Sequence, residues 1–161
     1  MIHITKIVSG GQTGADRAAL DWAIAHEIPH GGWCPKGRIA EDGVIPERYQ
    51  LQEMPVEGYL ARTEANVRDS DGTLILSLNP TLSGGSKNTA KFSARLGKPW
   101  LHLHPAMDWK TALIGWLNTH QVQTLNVAGP RESKEPGIGF FVAQVLTSAL
   151  GIQLHRVKSK Y

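Results

Sequence analysis

The stretch Ser9-Gly10-Gly11-Gln12-Thr13-Gly14-Ala15-Asp16 brings three glycines, two hydroxyls and an amide together ahead of a helical pattern. Glycines let a backbone approach a ligand closely, and free N–H groups at a helix start favour negative charge. A phosphate is the usual occupant of such a corner. The same residues also read as a cap. In Thr13-Gly14-Ala15-Asp16 the Thr13 hydroxyl and the Asp16 carboxylate can satisfy the first helical N–H groups, and Asp16 would then repel a phosphate. The stretch is not a P-loop, because the closing Lys-Ser/Thr is absent, and it is only part of a dinucleotide fingerprint. Taken alone, it leaves both readings open.

Two later stretches repeat the pattern. Asn79-Pro80-Thr81-Leu82-Ser83-Gly84-Gly85-Ser86-Lys87-Asn88-Thr89 and Ala128-Gly129-Pro130-Arg131-Glu132-Ser133-Lys134-Glu135-Pro136-Gly137 each mix glycines, hydroxyls and basic side chains. Other chemistry finds less support. His102 and His104 share a strand face, but no carboxylate or thiol has the spacing to complete a metal site, so no protein-ligated metal is expected. No Gly-x-Ser-x-Gly elbow occurs. Cys34, between Trp33 and Pro35, reads as an inert core thiol rather than a ligand contact.

The elements that must carry these corners alternate along the chain. Ile2 to Val8 reads as a first strand, and Ala15, Ala18, Ala19, Trp22 and Ala23 trace one helix face. His30 to Cys34 predicts a second strand. From Pro35 to Gly58 periodicity is lost, which suits a lid or binding loop. Tyr59 to Asp69 reads as a helix with Arg62, Asn66 and Asp69 on one polar face. Thr73 to Leu78 is the best fully buried strand. A helix follows the second glycine corner, using Ala90, Phe92, Ala94 and Leu96, and Trp100 to His104 is a fourth strand. Trp109, Leu113, Trp116 and Leu117 give another helix, Thr124 to Val127 a fifth strand, and Ile138 to Leu150 a last helix. The basic tail after about residue 153 is expected to be loosely held.

This alternation predicts an α/β fold: one Rossmann-like, three-layer domain around a mainly parallel sheet of about five or more strands. In such sheets ligands sit at the carboxyl ends of the strands. All three glycine corners fall on that edge, which favours a phosphate-bearing ligand over three merely structural turns.

Bulk properties agree with one soluble domain. The chain has 161 residues, 41% hydrophobic and 19% charged, with one cysteine and a formal charge of +3. That length supports a full core, and a single cysteine excludes an internal disulfide framework and suits the cytoplasm. No run is long enough to span a membrane, and no dense basic stripe argues for nucleic acid. The five tryptophans and the apolar last helix fit an oligomer interface as well as they fit core packing.

The residues Ser9 to Asp16, Gly32-Trp33-Cys34-Pro35-Lys36-Gly37-Arg38, Arg62-Thr63, Asn66-Val67, Asp69-Ser70-Asp71-Gly72-Thr73 and Asn126-Val127-Ala128-Gly129-Pro130-Arg131-Glu132-Ser133 resemble the putative molybdenum carrier family. That family belongs to the SLOG superfamily, with the cytokinin-activating LOG proteins. The resemblance implies that residues 1–161 form one SLOG-type domain binding molybdenum cofactor, or a related nucleotide, as cargo. It places the phosphate end at Gly10, Gly11, Gln12, Thr13 and Gly14 and at Ser83, Gly84, Gly85, Ser86, Asn88 and Thr89. Lys36, Arg38, Arg62 and Arg131, with Asp71 and Glu132, are the charged groups expected to meet the ligand. Valine at Gly11 or Gly85 is expected to weaken binding without unfolding the chain. The LOG enzymes carry Pro-Gly-Gly-x-Gly-Thr-x-x-Glu; here Phe92 stands where that glutamate is expected. A non-catalytic carrier, forming a homo-oligomer and serving molybdoenzymes, is therefore the first expectation. The alternatives are an enzyme acting on a nucleotide or nucleotide sugar, and a nucleotide sensor.

Overall fold

The computed structural model describes residues 3–158, with side chains described through residue 151. In chain order the elements are β1 (Lys6–Val8), α1 (Ala15–Ala25), β2 (His30–Gly31), β3 (Trp33–Cys34), β4 (Ile39–Ala40), β5 (Gly43–Val44) and β6 (Gln52–Glu53). There follow α2 (Tyr59–Arg68), β7 (Gly72–Leu76), α3 (Gly84–Arg95), β8 (Trp100–Leu103), α4 (Trp109–His120), β9 (Thr124–Ala128) and α5 (Ile138–Lys158). Five strands form the central sheet in the order β2-β1-β9-β7-β8, and every pairing in it is parallel. This is the expected Rossmann-like α/β architecture.

Strand alternation sorts the side chains into two unlike faces. Ile7, Leu74, Leu76, Leu103, Leu125 and Val127 meet α1, α4 and α5 in the main apolar core, where Trp22, Leu113, Leu117 and Phe141 fill the space between layers. The face covered by α2 and α3 is polar by comparison. Thr73 and Asn126 are buried there and joined by a 3.1 Å hydrogen bond, and Ser93 is buried on α3. Buried polar groups need partners, so this face is held by directed bonds as much as by apolar contact.

Three sequence readings shift. The second strand breaks at Gly32, whose φ of 125° lies outside the usual range of other residues. A Cβ there would stand 2.3 Å from the Ser9 carbonyl oxygen. Beyond that kink β3 leaves the main sheet to pair with β6. The third helix starts at Gly84, so residues expected in a loop through Thr89 form its first turns. The last helix runs on to Lys158 instead of stopping near Leu150; the packing of the basic tail after residue 153 lies outside the described side chains.

Residues 35–58 are an organised excursion. Ala40, Ile45 and Tyr49 bury with Leu20 and Cys34 in a second small core. The Arg38 guanidinium donates to the carbonyls of Ile45 (3.2 Å), Pro46 (2.9 Å) and Tyr49 (2.9 Å), closing the loop on itself. The Tyr49 hydroxyl donates to Asp21 of α1 at 2.6 Å.

Gly32 offers a test of this layout. Gly32→Ala should cost about 2 kcal/mol or more in urea unfolding, from backbone strain plus a collision with rigid backbone. Gly43→Ala, at a φ of 115° with nothing within 4 Å of the new methyl, should cost about 1 kcal/mol. Equal costs at the two positions contradict the close approach at Gly32.

Candidate functional site

The connections β1-α1-β2 and β7-α3-β8 run outward in opposite directions, leaving β9 between them. A crevice opens at the carboxyl ends of strands where such a reversal occurs. The structure has a cleft of about 430 Å3 there, walled by the starts of α1, α2 and α3 and by the segment after β9. Of the residues expected to touch a ligand, Gly10, Gln12, Arg62, Ser83, Gly85, Ser86, Thr89 and Arg131 line it.

The first glycine corner is not an open cradle. The Asp16 carboxylate accepts the Gln12 N–H at 3.1 Å, and the Gln12 side-chain carbonyl accepts the Thr13 N–H at 3.0 Å. The Pro130 carbonyl accepts the Ala15 N–H at 3.2 Å. Donors expected to hold a phosphate are thus consumed inside the protein. The capping reading is corrected: α1 makes no side-chain cap bond, because Asp16 turns back to the Gln12 N–H ahead of the helix and the Thr13 hydroxyl donates to Glu41. Gly11 faces the excursion: with φ at 80°, a Cβ would lie 2.7 Å from Leu51 and 2.9 Å from Ile45. A valine there disturbs packing, so the expectation of an intact fold is corrected. Gly14 lies against the 128–137 segment, where a Cβ would stand 2.6 Å from both the Pro130 oxygen and the Glu132 nitrogen.

The α3 start is the opposite case. Ser83 is its extended N-cap and makes no side-chain cap bond, and the first turn carries no acidic residue. The first helical N–H groups have no intrahelical acceptor by construction, so this end keeps its donors and its positive dipole for a ligand. Gly85 lines the cleft, and a Cβ at that position would meet nothing within 4 Å. The Lys134 ammonium stands beside Gly84, 2.5 Å from where a Cβ would be.

Between these two corners lies Arg62, 9% exposed. Its Nη1 donates to the Gly10 carbonyl at 2.8 Å and faces the Asp16 carboxylate at 3.5 Å. Its Nη2 has no hydrogen-bond partner among the described residues. A buried guanidinium with spare donors in a cleft is a strong anion contact. Asp16, 7% exposed, has its pKa raised because desolvation outweighs Arg62 and the Gln12 N–H.

The other expected contacts lie elsewhere. Asp71 accepts the Gln123 and Thr124 N–H groups at 3.1 and 2.8 Å, at the amino ends of β7 and β9 and across the sheet from the cleft. Arg38 is committed to the excursion, Lys36 is exposed on it, and Asn88 lies beyond the first turn of α3 without lining the cleft. Thr13 and Glu132 serve the latch between segments: the Glu132 N–H donates to the Thr13 hydroxyl at 3.2 Å, and the Glu132 carboxylate accepts the Gly137 N–H at 2.9 Å. Glu41 completes that latch. It accepts from Thr13 and from the Ser133 N–H (3.1 Å) and hydroxyl, and it pairs with Arg131 at 3.3 Å.

Several cleft residues escaped the sequence reading. Tyr59 and Ser77 line the cleft and no local spacing marks them, whereas Lys134 and Glu135, also in its lining, lie in the third glycine corner without a contact having been expected of them. Ser77 Oγ lies 2.6 Å from His102 Nε2, and Glu135 accepts the Leu78 and Asn79 N–H groups. Asn66, read as part of a polar stripe and of the family resemblance, is buried, bonding the Trp33 backbone at 2.8 and 3.0 Å. Cys34 is buried in the second core, and burial pushes its thiol pKa up. Among the described residues no group of three His, Cys, Asp or Glu side chains converges to hold a metal, and no helix is long and apolar enough to cross a membrane.

A profile of the circularly permutated YpsA SLOG family matches residues 7–150. The chain belongs to that family. A crystal structure named "Putative molybdenum carrier protein", from Syntrophus aciditrophicus SB, is 54% identical to it. The two superpose with a TM-score of 0.89 over 92% of this chain and 96% of that one. A structure of (E)-4-hydroxy-3-methyl-but-2-enyl diphosphate reductase reaches 10% identity and a TM-score of 0.41 over 90% of this chain and 58% of that one, too distant to carry an argument. No curated protein matches the chain.

The two carboxylate environments predict opposite titrations. Asp16 should titrate above the ordinary aspartate value, while Glu41 and Asp42, held by hydroxyl donors and by Arg17, should titrate below theirs. Asp16 therefore favours the fold most below its ordinary pKa, and that contribution falls as pH rises to the raised value. Glu41 and Asp42 add stability above their ordinary values and lose it as pH falls through the lowered ones. Carbon-13 NMR titration of the side-chain carboxyls checks the order; an unshifted or lowered Asp16 contradicts it.

Proposed function

We propose that this SLOG protein binds and carries a phosphate-bearing small molecule, molybdenum cofactor or a related nucleotide. The observation that carries the reading is the α3 start, uncapped and free of acidic residues, opening on a cleft where the buried Arg62 holds unpaired N–H groups. The phosphate is assigned to Ser83, Gly84, Gly85 and Ser86, with Arg62 and Lys134 supplying charge. Arg131 joins them if the ligand draws it from Glu41. The name of the 54% identical neighbour supports carriage of a molybdenum-related cargo. Any molybdenum would arrive with its own ligands.

Binding is favoured over hydrolysis by the position of Phe92, where LOG enzymes place a glutamate. That ring is partly buried under Arg95, 4.8 Å from the guanidinium carbon, and does not line the cleft. An enzyme acting on a nucleotide is the second reading, favoured by one observation: Asp16 lines the cleft with a raised pKa. Turnover of a nucleoside monophosphate, abolished in Asp16→Asn, would establish it. For the homo-oligomer, the candidate contact is Phe140, 87% exposed beside a shallow apolar surface between α1 and α5.

Isothermal titration with ribose 5-phosphate tests the anion site. The wild-type chain should bind it, and Gly85→Val should weaken binding about tenfold or more while unfolding at a similar temperature. Arg62→Lys should also weaken binding, because an ammonium cannot hold Gly10 and a ligand in the same fork. Unchanged affinity in Gly85→Val reduces the α3 corner to an ordinary helix start.

A further inference from the structure

The cleft is larger than a phosphate. At about 430 Å3 it falls within the roughly 300–1,000 Å3 of sites that take whole small molecules. Its lining mixes polar and apolar surface, and Tyr59 is the one aromatic side chain among the described residues that line it. Tyr59 opens α2 directly after Gly58, whose φ of 104° turns the chain into the helix. The Arg62 guanidinium carbon lies 5.6 Å from the ring centroid, which holds the ring at the cleft wall. Tyr59 as a residue is nonetheless 47% exposed. Leu82 also lines the cleft, adding apolar surface beyond the phosphate corner.

A second group points the same way. Gln12 lines the cleft, and its side-chain carbonyl accepts two backbone N–H groups, from Thr13 and Glu41, each at 3.0 Å. Those bonds fix the orientation of the amide and leave its NH2 as the unspent donor. A half-exposed aromatic side chain and an oriented amide donor lining one cleft are what recognition of a flat heterocycle needs: stacking on the ring, a hydrogen bond at the edge.

Resting on the phosphate reading above, we infer that Tyr59 is a stacking platform and that the ligand bears a planar aromatic heterocycle, a purine or a pterin, beside its phosphate. Gln12 donates to an edge acceptor of that ring. Tyr59 thereby sets specificity, separating heterocyclic phosphates from plain sugar phosphates of the same charge.

The test compares three probes by isothermal titration: ribose 5-phosphate, which lacks a ring; GMP, a purine; and neopterin monophosphate, a pterin with the same amino-oxo pyrimidine edge as guanine. In the wild-type chain at least one ring-bearing probe should bind about tenfold tighter than ribose 5-phosphate, the scale of one base on one aromatic side chain. Tyr59→Ala should bring that ratio close to one, and Tyr59→Phe should preserve it. The tighter of GMP and neopterin monophosphate names the source of the ring. Equal binding of all three probes by the wild type, or an unchanged ratio in Tyr59→Ala, overturns the platform while leaving the phosphate site standing. A wild-type chain that binds none of the three overturns both.

Discussion

The buried guanidinium of Arg62 is the constraint around which the cleft is arranged. It comes from α2, on one face of the sheet, and reaches the Gly10 carbonyl and the Asp16 carboxylate at the start of α1, on the other. Gly10 must be glycine for this, because a Cβ there would overlap the guanidinium at 2.2 Å. Removing one partner from such a buried pair generally costs about 3–5 kcal/mol, since the other charge is left uncompensated. The pair therefore ties the layers together at the site's edge. It also leaves one nitrogen of Arg62 without a hydrogen-bond partner among the described residues, at the wall of the cleft.

Two glycine-rich corners that look alike in sequence are chemically opposite in the fold. The α1 corner carries Asp16 in its first turn, and this carboxylate takes the place that an external anion would occupy. The α3 corner has no acid in its first turn and no side-chain cap. Glycine content alone does not make a phosphate site; what matters is whether the donors it exposes are already used. The latch of Glu41 to Thr13, Ser133 and Arg131 extends the same logic, since it pairs a cleft arginine with a carboxylate inside the protein.

Much of the fold was legible because its signals are local. Thr73 to Leu78 is apolar enough to read as a strand buried on both faces, which the fold forms as Gly72–Leu76, and the alanine and tryptophan spacing of α1 fixes its inward face. Alternation of such elements then implies a parallel sheet and puts the site on its carboxyl edge. What could not be read depends on contacts between distant residues. Gly32 ends β2 because the Ser9 backbone lies against it. The excursion folds because Arg38 gathers carbonyls from several turns. Asp71 leaves the site because its carboxylate caps the start of β9, a partner more than fifty positions away. Tyr59 had no pattern to announce it, being a single aromatic whose meaning is its position at the cleft wall.

The central claim is that the cleft holds a phosphate-bearing cargo, and the most direct measurement is native mass spectrometry with molybdenum analysis on protein purified without oxygen. A small-molecule adduct containing phosphorus is expected, released on denaturation, with molybdenum present when the adduct is the cofactor. A chain that remains at its bare mass, both as purified and after incubation with excess pterin and nucleotide phosphates, contradicts it.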